Sequence, residues 1–134
     1  MNNEAKWGGS LVDYGTSSSS ISNSIFSNNW NSGSGGVIYA DEVTDFTVSN
    51  CEFDNNYADL RGGAIYVAEF DGVLIESCSM TNNVADIDGG AVYVDEGRDM
   101  RIISTNFTNN IAIDDSGKRY FAMNLLNEEC CQCC

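Results

Sequence analysis

Apolar and polar positions in this chain alternate with a period of two within short stretches, and the stretches return every 27 residues. Cys51 and Phe53 flank Glu52, Cys78 and Met80 flank Ser79, and Thr105 and Phe107 flank Asn106. This is the mark of a strand with one buried face. Aligned at the period, the copies form apolar columns: Ile21, Val48, Ile75 and Ile102; Phe26, Phe53, Met80 and Phe107; Leu11, Ile38, Ile65 and Val92. A column of small residues, Ser24, Cys51, Cys78 and Thr105, runs between the first two. No segment sustains a 3.6-residue apolar period, so no helix is expected. Counted on the second full copy, each repeat predicts a strand near residues 46–53, another near 64–68, and a third short one between them.

The repeated unit is explicit. Cys51-Glu-Phe53-Asp-Asn55-Asn56 leads to Gly62-Gly63-Ala64-Ile65-Tyr66-Val67, and Cys78-Ser-Met80-Thr-Asn82-Asn83 leads to Gly89-Gly90-Ala91-Val92-Tyr93-Val94. Glycine pairs fit tight corners that need positive φ or close backbone approach. Asparagine pairs fit turns, since Asn tolerates the left-handed region. With repeats stacked about 4.8 Å apart, amides of one column also bond to each other, which makes Asn29, Asn56, Asn83 and Asn110 a structural ladder. The Ser-rich run Thr16–Ser20 resembles a linker, yet Ile21 keeps the register, so it belongs to a repeat.

A strict register points to a solenoid in which each repeat touches only its neighbours. Val48-x-x-Cys51-x-Phe53-x-x-Asn56 also matches the leucine-rich-repeat frame. In that fold the second half of the repeat is commonly helical, whereas Gly-Gly-Ala-Ile-Tyr-Val is strand-forming. The chain therefore predicts an all-β, right-handed parallel β-helix solenoid of about five rungs over residues 1–127, followed by a Cys-rich tail at 128–134.

The paired motifs Gly-Gly-Ala-Ile and Phe-x-x-Asn resemble the repeats of the chlamydial polymorphic membrane proteins and of similar β-helical surface proteins in bacteria and protists. They stand here as Gly62–Ile65, with variants Gly35–Ile38 and Gly89–Val92, and as Phe26–Asn29, Phe53–Asn56 and Phe107–Asn110, with Met80–Asn83 conservative. The resemblance covers residues from about 20 to 112 and implies a scaffold of adhesins and surface structures.

Composition narrows the function. A net charge of −14 with only six Lys and Arg excludes a nucleic-acid partner, which would require clustered cations. It favours solubility and cation binding. No apolar run approaches the roughly 18 residues of a membrane-spanning helix, so no membrane insertion is expected. The N-terminal residues lack the apolar core of a signal peptide, consistent with a mature fragment or one segment of a longer polypeptide. Absence of His removes the commonest general base and neutral metal ligand.

Three outer columns are candidate sites. Glu42, Glu69 and Glu96 repeat at 27, with Asp41, Asp45, Asp71, Asp95 and Asp99 nearby; they suggest a calcium-binding edge, or more plainly a solvated turn, since no calcium loop of fixed spacing is present. Asp59, Asp86, Asp88, Asp114 and Asp115 make a looser acidic turn with the same two readings. Tyr39, Tyr66 and Tyr93, with Tyr120 next in register, suggest an aromatic ladder for a glycan or, more plainly, stacking that stabilises the solenoid. Cys51 and Cys78, one rung apart, are expected buried and reduced, at a distance that does not forbid a disulfide. Cys130, Cys131, Cys133 and Cys134 are too close together for the usual zinc spacing and suit a disulfide-rich module or a cross-link between protomers. Asn106-Phe107-Thr108 is a glycosylation sequon if the chain is secreted by a eukaryote.

The polysaccharide lyases and hydrolases built on β-helices need paired carboxylates with a cation or His on one face, and Arg61, Arg98 and Arg101 do not share a column. The expectation is a non-catalytic extracellular or cell-surface structural module with no required cofactor, joined head to tail through its open ends into a fibre or surface scaffold. The alternative is an adhesin or glycan-binding module; a polysaccharide-cleaving enzyme ranks below both.

Overall fold

The computed structural model describes residues 4–5, 9–113 and 119–120. Each rung contributes one strand to each of four sheets. The first sheet stacks Leu11–Tyr14, Ile38–Asp41, Ile65–Ala68 and Val92–Val94, and the second stacks Ser20–Ser22, Thr44–Ser49, Phe70–Glu76 and Gly97–Ile103. The third holds Ile25–Ser27, Glu52–Asp54, Ser79–Thr81 and Asn106–Thr108. The fourth, made of very short strands, runs Glu4–Ala5, Trp30–Asn31, Tyr57–Ala58, Val84–Ala85, Ile111–Ile113 and Arg119–Tyr120. From Leu11 to Ile113 pairing is parallel and in register at the 27-residue offset, as in Ile65 with Ile38 and Val92, or Ile75 with Val48 and Ile102. The described residues thus form about four turns of an all-β solenoid.

The corners come from single residues with left-handed backbone. Gly15, Glu42, Glu69 and Glu96 turn the chain from the first sheet into the second. Asn23, Asn50, Ser77 and Ser104 turn it into the third, and Asn28, Asn55, Asn82 and Asn109 into the fourth. This corrects the strand expected near 46–53: Asn50, at φ 51°, breaks it into Thr44–Ser49 and Glu52–Asp54. The short strand between them and the Tyr-bearing strand is Tyr57–Ala58.

The two glycines of each pair do different work. Gly62 adopts φ +68°, which a side chain rarely tolerates, whereas a Cβ on Gly63 would lie 2.0 Å from the Gly90 carbonyl oxygen. One makes the corner; the other lets adjacent rungs close up. The asparagine pair divides likewise, with Asn55 left-handed and exposed and Asn56 buried.

The four sheets enclose one apolar cluster built from the expected columns, with Ile38, Val48, Phe53, Ile65, Ile75, Met80 and Val92 all fully buried. Burying a side chain of this size contributes about 2–3 kcal/mol each. The small column has a specific task. Ser24, Cys51, Cys78 and Thr105 each donate to the carbonyl two residues back, at 2.9, 3.2, 3.2 and 3.1 Å. A thiol meets that need inside the middle rungs and a hydroxyl meets it in the half-exposed outer ones.

The ends differ from the middle. In the first rung Asp13, Thr16 and Ser19 stand where later rungs have Ala40, Val43 and Phe46. Thr16 and Ser19 donate to the two oxygens of Asp13, the latter at 2.5 Å, so the buried carboxylate is satisfied within its own rung. At the other end Arg119–Tyr120 runs antiparallel to Ile111–Ile113, with Tyr120 opposite Ala112. Tyr120 therefore belongs to the fourth sheet and does not extend the Tyr39–Tyr66–Tyr93 column, a departure from its sequence register. The Cys130–Cys134 tail, Asp114 and Asp115 lie outside the described residues.

Candidate functional site

The four inner asparagines sit in one buried column. The side-chain amide of Asn29 donates to Oδ1 of Asn56 at 2.8 Å, Asn56 to Asn83 at 2.9 Å, and Asn83 to Asn110 at 2.9 Å. Each Oδ1 also accepts from the backbone N–H of the asparagine before it. Asn56, Asn83 and Asn110 also each donate one amide hydrogen to a carbonyl, of Phe26, Phe53 and Met80 respectively. From Asn29 to Asn83 the side-chain amides are spent on bonds to the next rung, the structural task expected of the column.

The tyrosines lie on the outer face of the first sheet, stacked in parallel. Ring centroids of Tyr39 and Tyr66 are 4.9 Å apart at 8°, and those of Tyr66 and Tyr93 are 5.5 Å apart at 11°. The guanidinium of Arg61 stands 5.2 Å from the Tyr93 ring centroid while bridging to Asp88. Ring faces that stack on each other are closed to a sugar, which would meet edges and hydroxyls. Tyr39 donates to Asp41 at 3.1 Å; burial, then that bond, pushes its hydroxyl up to about 12. Tyr57, donating to Asp86 at 2.5 Å, is likewise pushed up to about 12, burial again leading. The other oxygen of Asp41 is the one buried side-chain oxygen without a partner among the described residues.

Glu42, Glu69 and Glu96 are exposed and hold φ of 54°, 45° and 30°. Gly15 occupies the same corner in the first rung, so the glutamates stand where glycine is the unstrained choice. Glu42 accepts from the Tyr14 hydroxyl at 2.7 Å. Among the described residues no three Asp, Glu, Cys or His side chains converge as a metal site.

The columns do meet in a groove. An open cleft of about 460 Å³ crosses three rungs beside this corner, with Val43 and Phe70 as its floor, Glu42 and Glu69 on one rim, and Thr44, Asp71, Gly97 and Arg98 completing it. Arg98 donates to Asp71 at 2.5 Å and, by that bond first, lowers the Asp71 carboxyl below its usual value. The cleft follows the column Val43, Phe70, Gly97, where a large side chain gives way to none. Phe70 fills the vacated place so closely that a Cβ on Gly97 would meet its ring at 2.2 Å. Spacing in the sequence grouped Asp71 with the glutamates but left out Arg98 and the drop in side-chain size at Gly97 that completes the cleft.

A family model described as a right-handed β-helix region matches residues 1–128, nearly the whole chain. The chain belongs to that family. The match also supplies the hand of the solenoid. No match was found among curated proteins or among solved structures. As a right-handed β-helix, the chain places its corner residues on continuous outer ridges, and the Glu42–Arg98 cleft runs beside the glutamate ridge.

Proposed function

We propose that this right-handed β-helix is a non-catalytic structural module of an extracellular or cell-surface protein, a rigid scaffold rather than an enzyme. The observation carrying this reading is that two repeated columns are spent on rung-to-rung contacts: the inner asparagines bond to one another, and the tyrosines stack ring against ring. The Gly-Gly-Ala-Ile and Phe-x-x-Asn motifs, similar to those of chlamydial-type surface proteins, support the same class.

The ends qualify the expectation of head-to-tail self-association. Three sheets have outermost strands with a free edge among the described residues, and there Ile21 and Phe26 at one end match Ile102 and Phe107 at the other. In the fourth sheet Glu4–Ala5 and Arg119–Tyr120 already occupy the positions a second copy would need. Filaments require both short strands to swing aside, so the favoured particle is a discrete short rod. Electron microscopy and sedimentation of the natively purified protein test this. Discrete rods support the scaffold reading, while filaments with an axial repeat of a few rungs move it to a fibre protein.

The groove favours a second reading, a side-face ligand site of the adhesin type, with a floor of Val43 and Phe70 and charges of both signs. Saturable binding on a glycan array, lost with Arg98→Ala and Glu69→Gln while the fold persists, would establish it over the scaffold reading.

A further inference from the structure

Cys51 and Cys78 are the only cysteines among the described residues, both free and buried, at 3% and 4% exposure. They are equivalent positions on adjacent rungs, each following a left-handed corner residue, Asn50 at φ 51° and Ser77 at φ 52°. Their sulfurs take the same local contact, 3.2 Å from the carbonyls of Ser49 and Glu76. Two identical side chains in one orientation are therefore repeated along the axis. Other such pairs measure the repeat directly: Phe26 to Phe53 is 5.1 Å, and Tyr39 to Tyr66 is 4.9 Å.

That spacing suits a bridging atom better than a direct bond. A disulfide needs the two Cβ atoms within about 3.5–4.5 Å, just short of the rung repeat. The rungs here are pinned on both sides of the cysteines, by Ser79 N–H to the Cys51 carbonyl at 2.9 Å and Asn50 N–H to the Glu76 carbonyl at 3.1 Å. Two metal–sulfur bonds, each taken at the roughly 2.3 Å of a zinc–sulfur bond and laid end to end, span about 4.6 Å, close to the rung repeat. We propose that Cys51 and Cys78 form a buried two-sulfur site for a soft monovalent d10 ion, Cu(I) or Ag(I), held linearly between adjacent rungs. Soft sulfur ligands select such ions over the hard cations that the outer carboxylates would take. The column confines the site to the middle rungs, because its other members, Ser24 and Thr105, carry oxygen.

Charge balance fits the surroundings. One thiol loses its proton as the cation enters and the second sulfur donates a lone pair, so one positive charge replaces another and the interior gains none.

The test uses the full chain with Cys130, Cys131, Cys133 and Cys134 replaced by Ser, so that the buried pair holds the only thiols, and silver nitrate as the probe. Native mass spectrometry after prolonged incubation should find one silver ion per chain, and an excess of about a hundredfold over Kd should raise the melting temperature by several degrees. Both effects should vanish in Cys51→Ser and in Cys78→Thr, substitutions the column already accommodates at Ser24 and Thr105. Circular dichroism confirms folding of each variant, and either folded variant alone decides the matter. X-ray absorption should show two sulfur neighbours. No retained silver, silver retained equally by a folded variant, or a neighbour count other than two overturns the proposal.

Discussion

Two columns of this solenoid repeat one polar residue at the same interval with opposite results. Asn29, Asn56, Asn83 and Asn110 are buried and pass a chain of hydrogen bonds from rung to rung. Glu42, Glu69 and Glu96 are exposed, hold left-handed backbone, and bring like charges onto one ridge. An amide is donor and acceptor at once, so each copy satisfies the next. A carboxylate only accepts, so each copy repels the next. Stacking rewards repetition only when the repeated group complements itself.

The largest test of this contrast is Asn83→Asp. It keeps the shape but removes the donor to Asn110 and to the Phe53 carbonyl, and faces oxygen against oxygen in a buried site. A loss of about 3 kcal/mol or more is expected in urea unfolding; a loss under about 1 kcal/mol would show that the column is decorative.

Alkaline pH probes the outer aromatic groups next. Tyr39 and Tyr57 are pushed up to about 12 when folded, above the usual 10.0. Folding thus favours their protonated form; this stability is fully present below pH 10 and lost as pH rises from 10 towards 12. Ultraviolet phenolate absorbance should show Tyr39 and Tyr57 titrating last, with Tyr14, Tyr66 and Tyr93 also raised, together with unfolding. Titration of all tyrosines near pH 10 in the folded protein would contradict the described contacts.

The opposite sign is expected at the ridge. Glu69→Gly relieves a left-handed side chain and one of three neighbouring charges, and should stabilise by about 1 kcal/mol, measured as a higher urea midpoint. Destabilisation would mean that the glutamate is held there by something it binds. The smallest effect concerns calcium. Chelator should leave the melting temperature unchanged; a fall reversed by added calcium, and absent in Glu69→Gly, would turn the ridge into a metal edge.

Legibility followed the same division. In-register parallel stacking turns a sequence offset of 27 into a direct neighbour, so Val48, Ile75 and Ile102, or Asn56 and Asn83, could be placed from the sequence. Corners were harder, because each depends on the backbone of one residue. Neither Asn50 nor Ser77 stands out in sequence, yet their φ values divide a predicted strand in two. Tyr120 sits at the right offset but the strand it belongs to reverses direction, which spacing does not encode. The cleft was invisible for a related reason: it is made by what Gly97 lacks and Phe70 supplies.

The constant pairing of each residue with the one 27 positions away has a mechanical consequence. Pulled apart at its termini, the molecule cannot shear along whole strands; it must peel from an end, one coil at a time. Each coil would release a contour of roughly 90 Å, so a force-extension trace should be a staircase of equal treads, with tread heights recording how strongly each coil grips the next.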